Sequence, residues 1–112
     1  MPKITQGCRV LRLPNNLFKK VSNTVSPQGI IAVAEQIEIS LADKILNVNP
    51  LVVVLNGLQD PGNLGTIIRT SAAAGTTAVL LTEGTVDLYN PKVIRSTMGS
   101  LFLKGISITL PH

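Results

Sequence analysis

Residues 51–75, LVVVLNGLQDPGNLGTIIRTSAAAG, constrain the fold more than any other stretch of the chain. Leu51, Val52, Val53, Val54 and Leu55 make an unbroken apolar run of strand length. Such a run predicts a strand buried on both faces, as in a parallel sheet. Asn, Gly, Asp and Pro crowd residues 56–62, the composition of a turn. Leu64, Ile67, Ile68, Ser71 and Ala72 then recur at helical spacing, so one small or apolar face packs back on the strand. Gly75 predicts the helix stop, as a C-terminal cap. Strand, tight turn and helix start together form a place where α/β proteins bind ligands.

The helix carries Arg69, with Gly65 one turn earlier on the same face. Long helical side chains lean towards the N-terminus. Arg69 is therefore expected to reach over the bare Gly65 towards the free amides of the first turn. A guanidinium beside unpaired N–H groups at the positive end of a helix suits an anion. The alternative is a solvated surface arginine, with Gly65 merely easing packing. Spacing alone leaves both open.

Ala78 to Leu81 reads as a second buried strand, reached from Gly75 by a short turn, which completes one βαβ unit. Glu83 to Tyr89 reads as a loop. Asn90 is a good N-cap, with Pro91 at the first helical position, and the helix is expected to run to about Met98. Lys92 and Arg95 then lie three apart on one face, as a phosphate grip or as an ordinary solvated face. Gly99 and Ser100 close the helix. Residues 101–110 predict a third strand region, interrupted by Gly105.

The segment before this unit is mixed. Lys3, Arg9, Arg12, Lys19 and Lys20 hold half of the ten basic residues. Asn15 or Asn16 could cap a short helix in which Leu17, Phe18 and Val21 share a face. Ser26, Pro27, Gln28 and Gly29 form a turn, followed by a β-prone run at residues 30–34. Residues 35–50 read as a linker with a short helix at 41–46, ended by Pro50.

Composition narrows the function. Net charge is +4, which permits nucleic-acid binding without establishing it. One tyrosine and two phenylalanines argue against single-strand binding by base stacking. The single cysteine, Cys8, excludes an internal disulfide, and the single histidine, His112, offers no triad or metal site. No apolar run approaches the ~18 residues of a membrane span, and the first residues are too polar for a signal peptide. A cytoplasmic chain with neither membrane nor metal is the expectation.

The segment LNGLQDPGNLGTIIRT, residues 55–70, closely resembles the first motif of the SpoU (TrmH-like) RNA methyltransferases, a branch of the SPOUT superfamily. Asn63, Gly65 and Arg69 fall on its Asn-x-Gly-x-x-x-Arg core. The segment NPKVIRSTMGSLF, residues 90–102, is similar to the second motif, with Lys92, Arg95, Ser96 and Gly99 in register. The third motif, a Gly-x-Glu loop followed by a Ser/Asn segment, is absent from the 112 residues.

The resemblance implies an α/β, parallel-sheet SPOUT-type (alpha/beta knot) methyltransferase domain, incomplete at its C-terminus. It implies ribose 2′-O-methylation of rRNA or tRNA with S-adenosylmethionine, by a homodimer. Arg69 and Asn63 take the catalytic positions, and Gly65, Lys92, Arg95 and Ser96 the RNA-binding ones. The cofactor loops, in the family's trefoil knot, are expected beyond His112, so the isolated chain is expected to be inactive. Residues 1–34 would be the remnant of an N-terminal RNA-binding domain, 35–50 a linker and 51–112 the first part of the methyltransferase domain; an ordinary N-terminal arm is the alternative for the first segment.

Two rival readings remain. A non-catalytic RNA-binding or dimer-forming fragment fits the same letters. A dinucleotide-binding βαβ unit matches Gly62, Gly65 and Glu83, but Asp60 stands where its first glycine belongs.

Overall fold

The computed structural model describes residues 7–22, 24–36, 49–103 and 107–109. The chain divides into two compact units, Met1–Glu35 and Gln36–His112. In the first, helix α1 spans Asn15–Val21. Its N-cap is Pro14, which makes no side-chain capping bond, so neither asparagine caps it as expected. The Pro14 carbonyl instead accepts from the Phe18 amide at 2.9 Å. No residue of α1 is buried, and the expected strand at 30–34 is an irregular segment with Ile30, Ile31 and Val33 exposed. Apolar composition favours a strand only when something covers it.

In the second unit, β1 (Val52–Leu55), α2 (Pro61–Ala73), β2 (Ala78–Leu81), α3 (Pro91–Ser96) and β3 (Ser107–Thr109) follow one another, with a 3₁₀ turn at Ser100–Phe102 before β3. The sheet is parallel throughout, in the order β1-β2-β3. Val52 pairs with Ala78 and Leu55 with Leu81, so the first two strands run in step over their full length. On the other side of β2, Ala78 pairs with Ser107 and Leu80 with Thr109. The central position explains why Ala78, Val79 and Leu81 are fully buried.

One face of the sheet holds the core. Leu64 and Ile68 of α2, Val79 and Leu81 of β2, Val93 of α3, and Leu88 form one buried cluster, with Val53 and Leu55 packed against it. Each such aliphatic side chain contributes about 1.5–3 kcal/mol through removal from water. Alternation along β1 sends Val52 and Val54 to the other face, where Val54 is 58% exposed. The three valines therefore do not mark a strand buried on both faces: the second face of β1 is open at Val54, and among the described residues β1 pairs on one side only, with β2.

Helix α2 ends as Gly75 predicts. The Thr76 amide donates to the Ser71 carbonyl at 3.0 Å and the Gly75 amide to that of Ala72 at 3.3 Å, with Gly75 at φ 73°. This is the double-bonded terminus that needs a left-handed residue. Helix α3 stops two residues earlier than its spacing suggests. The Thr97 amide is shared between the Val93 and Ile94 carbonyls, the Thr97 hydroxyl donates to Ile94, and Met98 takes φ 52°. A left-handed methionine cannot continue a helix. Gly105 and the expected helix at 41–46 lie outside the described residues.

Candidate functional site

Asp60 shapes the start of α2. Its Oδ1 accepts from the Asn63 amide at 2.7 Å, and its carbonyl accepts from the Leu64 amide at 3.1 Å. Pro61 has no N–H, so the amides of Asp60 and Gly62 are what is left of the four first-turn donors. The expected row of free amides awaiting an anion is thus halved, one donor being absent at Pro61 and one taken by a carboxylate. That carboxylate also stands where a dinucleotide's pyrophosphate would have to sit, and like charges there repel. The dinucleotide reading ends with Asp60.

The loop from β1 into α2 is tied to the loop leaving β2. Thr82 Oγ1 donates to Asn56 Oδ1 at 2.7 Å and accepts from the Gly57 amide at 3.1 Å. The Thr82 amide donates to the Leu55 carbonyl at 2.9 Å, and the Val86 amide to that of Leu58 at 2.8 Å. These bonds sit at the carboxyl ends of two parallel strands, the edge where open α/β sheets hold ligands. Sequence reasoning passed over Thr82 and Asn56; a hydroxyl immediately after a buried strand was the available signal.

Gly65 is buried, and the space over it is full. A Cβ added at Gly65 would lie 1.7 Å from Ser96 Oγ, 2.5 Å from Ser96 Cβ and 2.7 Å from the Ser96 carbonyl carbon. Helix α3 therefore crosses α2 at this glycine, and Arg69 cannot lie back across it. The expected lane is corrected: Gly65 is bare so that a second helix can approach. The Ser96 hydroxyl points into the contact, within 3.1 Å of the Pro61 carbonyl and 3.0 Å of the Val93 carbonyl, as donor to both or either.

Around this crossing stand the cations. Arg69 is exposed on α2, one turn beyond Gly65. Lys92 and Arg95 are exposed on α3, Lys92 one turn before Ser96 and Arg95 next to it. Asn63 is exposed in the first turn of α2, with its backbone rather than its side chain engaged in the cap. Asn90 Oδ1 accepts from the Lys92 amide at 2.9 Å, which fixes where α3 begins. Among the described residues no cluster of His, Cys, Asp or Glu could hold a metal ion. No described helix is long and apolar enough to cross a membrane.

Residues 50–108 match the SpoU rRNA Methylase family, a segment that includes every residue of the site above. The 23S rRNA (guanosine(2553)-2′-O)-methyltransferase RlmP of Bacillus subtilis is 43% identical over 96 residues, which are 86% of this chain and 37% of that protein. The mitochondrial rRNA methyltransferase 3 of Mus musculus is 43% identical over 89 residues, 76% of this chain and 21% of its own. Among solved structures, the AdoMet-bound rRNA methyltransferase of Sinorhizobium meliloti is 33% identical with a TM-score of 0.74, over 87% of this chain and 37% of that one. AviRb of Streptomyces viridochromogenes, in complex with AdoMet, has a TM-score of 0.80 at 24% identity, over 98% of this chain and 42% of its own, a likeness of fold. The chain thus spans less than half the length of each of these relatives. Matched over more than half of its own length, it belongs to the SpoU rRNA methylase family.

Proposed function

We propose that this chain forms the ribose-phosphate side of an RNA 2′-O-methyltransferase acting on rRNA or tRNA. The observation that carries the reading is the crossing of α2 and α3 at Gly65, with exposed Arg69 on one helix and exposed Lys92 and Arg95 on the other. Phosphates are gripped by cations held in a set geometry, and arginine does so through two parallel N–H donors.

S-adenosylmethionine, when bound, supplies the methyl group. The buried hydroxyls of Thr97 and Ser100 already donate to backbone carbonyls. Both hydroxyls are thus engaged within the fold. In the transfer, a bond forms between the ribose 2′-oxygen and the methyl carbon as the carbon–sulfur bond breaks. Asn63 orients the 2′-hydroxyl. Arg69 binds the neighbouring phosphate and stabilises charge developing on the oxygen. A guanidinium does not take up the proton at neutral pH, so phosphate oxygen or water receives it. Lys92 and Arg95 hold the RNA backbone alongside.

The first unit, Met1–Glu35, fits the proposal as the end of an RNA-binding domain, with exposed Arg9, Arg12, Lys19 and Lys20. Homodimerisation and a cytoplasmic location belong to the same proposal. A second reading of the chain taken alone is RNA binding without turnover, since exposed Arg69, Lys92 and Arg95 can hold phosphate with no cofactor present. Transfer of labelled methyl from S-adenosylmethionine to rRNA tests both, using the chain itself and any longer product of its reading frame. Label on the ribose from the longer product upholds the enzyme. Label on a base, or none from either protein, overturns it.

A further inference from the structure

We propose that Ser96 is a positioning residue: it seats α3 on Gly65 of α2, so that Lys92 and Arg95 meet the same RNA strand as Arg69. This rests on the RNA reading above and goes beyond it, because Ser96 then acts without touching RNA.

Two observations carry it. The Ser96 atoms closest to the Gly65 Cβ position include the backbone carbonyl carbon at 2.7 Å, not only Oγ at 1.7 Å. Rotating the side chain would clear Oγ but not the backbone, so any side chain at Gly65 must push α3 away as a body. The hydroxyl also faces the Pro61 carbonyl of α2 at 3.1 Å and the Val93 carbonyl of its own helix at 3.0 Å. With its single proton directed at carbonyls on both helices, it sets where along α2 the short helix rests. A direct RNA ligand would have to break that arrangement first. Lys92 and Arg95 flank Ser96 on exposed positions, so a shift of α3 carries both cations with it.

The test has two arms. In the first, thermal unfolding is followed for Gly65→Ala, Ser96→Gly and the double variant. Coupled shifts are expected: Gly65→Ala lowers the midpoint by many degrees or fails to fold, and Ser96→Gly costs less in that background than in the unaltered chain, without restoring the midpoint because the backbone contact remains. Additive shifts would overturn the seating.

In the second arm, binding of single-stranded RNA is measured against salt concentration. Single-strand binding loses about 0.7 in log–log slope per lost phosphate contact. A folded Gly65→Ala chain is expected to bind about tenfold more weakly, with a slope smaller by about 1.4, the loss of two contacts. Lys92→Ala/Arg95→Ala is then expected to add little in that background. Ser96→Ala, which loses the hydroxyl's hold on the Pro61 carbonyl, is expected to lower the slope as well, by no more than about the same 1.4, and a wild-type slope in it would overturn the role of the hydroxyl. An unchanged slope in Gly65→Ala, or a full further loss on removing the two cations, would overturn the positioning role. No salt-dependent binding by the unaltered chain would overturn the RNA reading and, with it, the role in RNA positioning; the thermal cycle would still decide whether Ser96 seats the helix.

Discussion

Helices α2 and α3 both begin on a capping side chain followed by proline, yet α2 runs for 13 residues and α3 for 6. Asp60 caps the first and Asn90 the second. The longer helix buries Leu64, Gly65, Ile68 and Ser71; the shorter buries Val93 alone. Isolated helices below ~12 residues are marginal in water. Helix α3 therefore exists because it is docked, whereas α2 has a core face of its own. The candidate site joins them: a well-anchored helix contributes one cation, and a dependent helix contributes two.

That contrast can be broken most forcefully at Leu64. Leu64→Ala removes a fully buried side chain and is expected to cost about 3 kcal/mol of global stability in urea unfolding. The matching change in the shorter helix, Val93→Ala, is expected to loosen α3 first. Amide exchange should therefore rise at Ile94 and Thr97 before it rises along α2. Uniform loss of protection in both helices would erase the distinction.

The next largest effect concerns chemistry rather than folding. Arg69→Lys keeps charge and loses the planar fork, so turnover by an active enzyme containing this chain is expected to fall about a hundredfold. Stability should be unchanged within about 0.5 kcal/mol, because Arg69 is exposed. Near-normal turnover would remove the fork from the mechanism.

Much of the framework was legible because its causes are local. Gly75 ends α2, Asn90 and Pro91 start α3, and Ala78 to Leu81 form β2 as their own letters imply. What sequence reasoning misplaced depends on contacts between distant residues. The open face of β1 at Val54 follows from what packs over that side of the sheet, which a run of valines does not encode. Gly65 was legible as special, but not its occupant: Ser96 reaches the Pro61 carbonyl from 35 residues away. Asp60 was legible only as a departure from a glycine pattern, and its capping bond explains the departure.

Smaller effects sharpen the comparison further. Asp60→Ala is expected to cost about 1 kcal/mol, as loss of an N-cap generally does. Asn90→Ala removes a similar bond from a helix with less to fall back on, so α3 should fray more than α2 for the same chemical change. Circular dichroism with residue-level amide exchange reads both. Smallest of all, Lys92→Ala should leave stability within about 0.5 kcal/mol and lower RNA binding by one phosphate contact.

The most direct test of the account compares the salt dependence of RNA binding by the chain with that of an Arg69→Ala/Lys92→Ala/Arg95→Ala variant. Three cations on one phosphate track predict a log–log slope smaller by about 2 in the variant, with folding intact. An identical slope in the two proteins would contradict a shared phosphate surface and return all three residues to the ordinary solvated exterior.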